Sequence, residues 1–391
     1  MNAFTLRDAE NYLQDKLFPA FNNQVGIESS PFIEKMNQVN LDAPIVSANT
    51  PVGANGGVGF GSEDANIPES GAMNFERFKV APVDLFGTLE ISDKAVELGI
   101  GDISLKNMVR EQTISVKDTM NFVIGGSAIA GDGSGKLCTV TGATGHEFTV
   151  SDTRCIRPGM KIDFFKTGAT TPTHTKKRIK SIDYVTNKIT IDGDDFTAED
   201  GFITYQGSYG KSIVGLEAIF DDSVKTIYGV NKEEKGWIKP EVDVLEDGID
   251  LDAKLRGMTR NSSRYKNGKI DMMLAGDDAY EEYLAFLRAT KTMPADRQTF
   301  QGGVSAIEIL FGDRIIAFVN DKFVKSDEII GVDTSKFSFL KTGVRFLKQN
   351  DASAFIRKDN STIYQAVLGI YLNILCKNPG SCFKLKDVTR T

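Results

Sequence analysis

The sequence predicts an α+β fold: one long helix, a compact all-β insertion behind it, and a mixed body closed by a single long buried strand. Three observations carry this. Apolar residues from Leu105 to Val123 recur at three- and four-residue steps, which is the helical period. Between Lys136 and Lys211 that period vanishes, and short β-type runs follow one another between Gly, Asp, Asn and Thr clusters. Near the end, TIYQAVLGIYLNILC is apolar on both faces from Ala366 onward, as a strand covered on both sides must be.

In chain order, an amphipathic helix is expected first, with Leu6, Ala9, Leu13 and Leu17 on one face. The Asn-, Gln- and Ser-rich stretch after it has apolar residues too scattered for a core. It reads as an extended arm whose anchors are Val25, Ile27, Phe32, Ile33 and Ile45. Glycines crowd the next part, and Gly61 to Met73 form a polar, turn-rich tip. A strand run follows, with Phe75, Arg77 and Lys79 on one face and Phe78 and Val80 on the other. Pro82 interrupts it before Val83–Ile91 resumes, and a proline there marks an edge or a solvent-exposed hairpin. The reading is a long two-stranded hairpin projecting from the body, marginal alone and so laid on a partner. Arm and hairpin are both expected to bury their apolar residues on neighbours.

Asp102 or Ser104 can cap the long helix, and Gly125-Gly126 is expected to end it. Its apolar face carries Leu105, Val109, Thr113, Val116, Met120 and Val123, while Lys106, Arg110 and Lys117 share another. Six β runs (CTVT, EFTV, MKIDFF, KRIKSIDYV, KITI and GFITYQ) then predict a small barrel whose chain ends lie close together. Beyond it, Asp247–Ser263 reads as a helix turned by Asn267-Gly268. Lys269–Ala275 reads as a strand, and Asp277 as the cap of a helix reaching Ala289. Strands are expected at Val304–Phe311, Arg314–Val319 and Lys336–Leu340, and Asn378-Pro379-Gly380 stops the closing strand.

The 391 residues carry 46 Lys and Arg against 53 Asp and Glu, a net charge of −7. Such a chain lacks the broad basic surface that dominates nucleic-acid affinity. No signal peptide or membrane span is legible, so a soluble protein made in the cytoplasm is expected. Cys138, Cys155, Cys376 and Cys382 form no CxxC pair and read as four reduced thiols.

Catalytic patterns are scarce. His146 and His174, the only histidines, fall in or beside turn-rich stretches of the insertion and read as solvated loop residues. Gly131–Leu137 (GDGSGKL) misses the phosphate-loop pattern at Ala130 and Leu137, and it follows a helix instead of a strand. GGVGFGS has Ser62 where a dinucleotide fingerprint needs glycine, and Asp192–Asp200 has Phe196 at a calcium-ligand position. Carboxylate pairs such as Glu63-Asp64, Asp194-Asp195 and Asp277-Asp278 have no neighbouring signal that makes them acids or bases. No cofactor, metal or enzymatic activity is expected.

The order of parts resembles the major capsid proteins of tailed bacteriophages, the Hong Kong 97-like fold shared with encapsulin shells and the herpesvirus capsid floor. GFGSEDANIPESG and FERFKVAPVDLFGTLEIS look like that family's E-loop, and DISLKNMVREQTISVKDTMNFVI like its spine helix. GLEAIFDDS, with Trp237 further on, resembles the entry to the axial domain, and YQAVLGIYLNILCKNP the closing strand of the peripheral domain. The resemblance implies an N-arm at 1–55, an E-loop hairpin at 56–92 and the spine helix of the peripheral domain at 93–135. It places an all-β insertion domain at 136–211, an axial domain at 212–345 and a return to the peripheral domain at 346–391. It implies contacts between subunits through Gly61, Glu63, Asp64, Glu69, Arg77 and Lys79 of the E-loop, and it places Lys106, Arg110 and Lys117 on the spine helix.

The function so implied is structural. Hexamers and pentamers close into an icosahedral virion head around double-stranded DNA held without sequence-specific binding. A portal and either a separate scaffolding protein or none would complete it. An encapsulin-like compartment shell is the rival from the same fold. A soluble multidomain hydrolase and a tail or adhesin protein are rivals from other classes.

Overall fold

The computed structural model describes residues 29–52, 55–60, 69, 71, 74–94, 103–193, 200–290, 297–300, 303–311, 314–347 and 354–388. The expected amphipathic helix at Leu6–Leu17 and the anchors Val25 and Ile27 lie outside them.

The described chain opens with α1 (Pro31–Lys35), β1 (Asn37–Asn40), β2 (Val46–Val52), β3 (Asn74–Val80) and β4 (Val83–Ser92). The long helix α2 (Ile103–Ala130) leads into β5 (Lys136–Thr144), β6 (Glu147–Val150), β7 (Lys161–Lys166), β8 (His174–Asp183), β9 (Lys188–Ile191) and β10 (Gly201–Tyr205). Next come α3 (Leu216–Phe220), a ribbon of β11 (Thr226–Ile227) and β12 (Val230–Asn231), then β13 (Glu241–Val244) and α4 (Leu251–Lys266). β14 (Met272–Ala275), α5 (Asp277–Ala289), β15 (Arg297–Thr299), β16 (Ser305–Phe311) and β17 (Arg314–Asn320) follow. The last strands are β18 (Ile329–Val332), β19 (Phe337–Lys341), β20 (Arg345–Phe346), β21 (Ile356–Arg357), β22 (Ile363–Cys376) and β23 (Phe383–Lys386).

β22 organises a six-stranded sheet, pairing antiparallel with β19, β20, β21 and β4, while β1 runs parallel to β19. It is buried almost continuously from Ala366 to Cys376, as its two apolar faces require. The strand run that Pro82 interrupts does not stay together in the expected hairpin. β4 pairs with β22 over ten residues, and β3 pairs instead with β2 in register Val46↔Val80 to Val52↔Asn74. The chain breaks at Ala81-Pro82, where the Asn373 amide donates to the Ala81 carbonyl at 2.7 Å.

α2 also departs from expectation. It runs straight through Gly125-Gly126 to Ala130, 28 residues in all and so about 42 Å long. These glycines are packing sites. A Cβ on Gly125 would meet the Phe323 ring at 2.6 Å and the Ser29 hydroxyl at 2.8 Å. Val109, Thr113 and Met120 are buried as predicted, and from Phe122 to Ile129 burial extends around the helix.

The predicted barrel forms from all six β runs, closed in the order β10-β5-β6-β9-β8-β7 around its own core of residues such as Phe148, Phe164 and Ile189. Its ends do lie together: Gly210 N–H donates to the Ser134 carbonyl at 2.7 Å, and Asp132 bridges to Val214. Arg154 Nη1 ties it to the body by donating to the Phe323 carbonyl at 2.6 Å. A cleft of about 750 Å³ separates much of the rest.

The second sheet has seven strands, ordered β13-β23-β18-β14-β17-β16-β15. Met273 and Ala275 of β14 pack toward α4 and α5, and Met272 and Leu274 toward the main core, so this strand is covered on both faces. β19, expected with this body, joins the six-stranded sheet. β23 and β13, which the sequence did not mark as strands, sit at one end of the seven-stranded one. Lys384 of β23 is fully buried and donates to Glu217 at 2.7 Å and Glu328 at 3.0 Å. Gly276 occupies the cap of α5 and Asp277 its first turn, while Asn267 turns α4 in the left-handed region as expected.

Candidate inter-subunit surfaces

The hairpin of β2 and β3 has two halves with opposite fates. At its base Phe78 is fully buried, stacked 5.9 Å from Trp237 and tilted against Tyr228 at 5.7 Å. Lys79 N–H donates to the Tyr228 carbonyl at 2.9 Å, Glu76 pairs with Lys235 at 2.5 Å, and Thr50 donates to the Lys377 carbonyl at 3.0 Å. The base is therefore clamped to its own body, against the expectation that the hairpin buries nothing there. Trp237 stands out in the sequence, but nothing local links Tyr228 or Lys235 to a strand some 150 residues earlier.

The outer half finds no such cover among the described residues. Phe75 is 61% exposed, Val58 85%, and Phe60 fully so. Among the expected contact residues, Glu69, Arg77 and Lys79 are exposed, and Arg77 Nη2 donates across the pair to Ser47 Oγ at 3.0 Å. Gly61, Glu63 and Asp64 lie outside the described residues, as does the side chain of Lys106. On α2, Arg110 is exposed and Lys117 half-buried.

The arm needs a larger correction. Phe32 and Ile33 are fully buried in the chain's own core, Phe32 edge-on to Phe337 at 5.1 Å. Ser30 caps α1 and donates through Oγ to Asp321 at 2.6 Å. Burial pushes the Asp321 carboxyl up, partly countered by the bonds from Ser30 and Phe323 N–H. Ile45, beyond this docked stretch, stays exposed. A further apolar pair lies exposed at the end of the seven-stranded sheet, where Leu310 of β16 stands directly opposite Ile315 of β17.

His146 sits exposed at a turn, and His174 starts β8 with its ring 6.2 Å from Phe164. In the Gly131–Leu137 joint the Asp132 carboxylate folds back onto Ser134 N–H and Oγ, closing a turn. Asp277 accepts from Asn320 Nδ2 at 2.8 Å. Most of Asp192–Asp200 lies outside the described residues. Among those described, no three His, Cys, Asp or Glu side chains gather as metal ligands. The four cysteines are free and buried, and burial holds the Cys155 thiol up at about 12, too high to form a reactive thiolate. No helix among the described residues is long and apolar enough to cross a membrane.

No family model matches the sequence, and no curated protein matches it either. Solved structures do. A chain of the cyanophage A-1(L) capsid asymmetric unit is similar at a TM-score of 0.54 and 11% identity, over 97% of this chain and 96% of that one. A chain of Gordonia phage Cozz matches at 0.43 and 11% identity, over 92% and 86%. One from the holo-SrpI encapsulin complex of Synechococcus elongatus PCC 7942 matches at 0.45 and 9% identity, over 92% and 90%.

Proposed function

We propose, from the Hong Kong 97-like capsid fold that this chain adopts with an added β-barrel, that it is the major capsid protein of a tailed bacteriophage. The observation that carries the reading is the likeness to a cyanophage capsid chain along nearly the whole of both chains. The hairpin gives it a physical basis. A clamped base holds Val58, Phe60 and Phe75 out from the body, exposed among the described residues and open to cover by another molecule. Burying a phenylalanine side chain contributes about 1.5–3 kcal/mol, and every subunit of a closed shell repeats the contact.

In this reading β2, β3 and their tip form the E-loop, and Gly61, Glu63, Asp64, Glu69, Arg77 and Lys79 meet a neighbouring subunit. α2 is the spine helix, with Lys106, Arg110 and Lys117 along it. The six-stranded sheet is the peripheral domain and the seven-stranded sheet the axial one. Residues 136–211 form an insertion domain. Hexamers and pentamers build the virion head around DNA held without sequence-specific contacts, together with a portal and, where one is used, a scaffolding protein. The chain's work is structural and calls for no cofactor.

Electron microscopy of the purified protein, alone and with its phage's scaffold, tests this. Closed icosahedral particles are expected. Fibres, or a monomer that resists every assembly condition, would overturn it. An encapsulin-like shell would differ in enclosing protein cargo and lacking a portal vertex.

A further inference from the structure

The barrel reverses the sign of the chain. Residues 136–211 hold eleven Lys and Arg against nine Asp and Glu, a net +2, so the residues outside carry −9 of the total −7. The cations gather on one stretch of barrel wall. Lys176, Arg178 and Lys180 are exposed along β8, and exposed Lys161 on β7 stands directly opposite Arg178. Like charges directly opposed destabilise a sheet, so this wall is not arranged for the barrel's own stability. Among the described residues none of these four cations has a carboxylate at ion-pair distance. None lines the cleft, so the carboxylates that the body presents there (Glu217, Asp221, Asp277 and Asp327) do not neutralise them.

The body supplies the opposite charge. Glu246, Asp247 and Asp250 are exposed ahead of α4, and Asp278 and Glu281 on the first turns of α5, clear of the cleft. We propose that the cationic wall of the barrel docks on an acidic face of the body of a second copy of this chain, joining neighbours in the shell. The inference rests on the shell reading above. Bodies of net −9 packed side by side repel one another, and one barrel per copy meets one acidic body per copy, so the charges can be matched throughout. Four cations on a closed barrel keep a fixed spacing. Such a pattern sets orientation and excludes wrong contacts more than it adds affinity. It is also weakened by salt, because exposed charges are screened over about 8 Å at physiological ionic strength.

The test uses assembled particles made from equal amounts of unlabelled and heavy-nitrogen-labelled full-length protein. A carbodiimide joins a lysine to a carboxylate in direct contact, and mass spectrometry tells links between copies from links within one. Mixed-label links from Lys161, Lys176 or Lys180 to Asp or Glu outside residues 136–211 are expected. Links only within one copy would overturn the proposal. In a second arm, Lys161→Glu, Lys176→Glu, Arg178→Glu and Lys180→Glu are combined. Unassembled variant subunits should melt as the wild type does, while particle yield at low salt falls about tenfold or more. The deficit should shrink at about 1 M salt, where screening acts over about 3 Å. Equal yield at low salt refutes the contact. Equal yield together with loss of a DNA gel shift seen for the wild type would make the wall a nucleic-acid surface instead. No closed particles from the wild type would overturn the shell reading, a result distinct from these, and this contact with it.

Discussion

Phe78 and Phe60 lie on the same hairpin, and truncating each should produce opposite phenotypes. Phe78 is fully buried between Tyr228 and Trp237, at centroid distances of 5.7 and 5.9 Å. Replacing it with alanine removes a buried ring from a well-packed site, a change that costs about 3–5 kcal/mol. That is a large part of the 5–15 kcal/mol typical of a folded domain. Phe60 is fully exposed among the described residues, so Phe60→Ala should leave subunit stability within about 0.5 kcal/mol. The assay is urea unfolding of unassembled subunits, paired with hydrogen exchange of the amides of β2 and β3. Phe78→Ala should lower the midpoint and strip protection from those amides. Phe60→Ala should change neither, yet reduce the yield of closed particles. Phe78→Ala subunits as stable as wild type would refute the clamp. Phe60→Ala subunits that unfold early would place the tip in the subunit's own core and remove the basis for a contact between subunits.

Three further outcomes are expected. Gly125→Leu should lower the subunit's melting temperature through overpacking against Phe323 and Ser29, a cost of about 1–3 kcal/mol; an unchanged melt would show that the helix shifts freely. Residues 132–214 expressed alone should give a β-type circular dichroism spectrum and a cooperative melt, and a disordered fragment would sink the barrel's independence. Burial alone would raise the Glu328 carboxyl, but Lys384 and Lys325 more than offset this and hold it below the ordinary glutamate value of 4.5. Its stabilising contribution is therefore present above that value and lost as pH falls through the lower folded one. Lys384→Met should destabilise at neutral pH by up to about 3–5 kcal/mol, because the buried Glu328 carboxylate is left with Lys325 as its one cationic partner among the described residues. It should also flatten this group's pH slope, because Lys325 alone then opposes the burial. An acid-unfolding profile unchanged between the two proteins would contradict the assignment.

The sequence by itself determined the elements whose cause is local. Each barrel strand is a short β-type run bounded by Gly, Asp, Asn or Thr, and all six formed. The buried face of α2 at Val109, Thr113 and Met120, and the two-faced burial of β22, were equally legible, because periodicity records which side of an element is covered. The outward faces of Arg77 and Lys79 came from the same signal. What periodicity does not record is the identity of the partner. Phe32 and Phe60 are both phenylalanines in glycine-, asparagine- or serine-rich surroundings, yet one is buried against Phe337 and the other is bare. Gly125 punctuates a helix when read locally, but it serves to admit Phe323 from 198 residues away. β3 and β4 read as one interrupted run because they are adjacent, whereas the sheets pair β3 with β2 and give β4 to β22. Pairing, close approach and ownership of a buried ring depend on contacts between residues far apart in the chain, and only the tertiary structure brings those residues together.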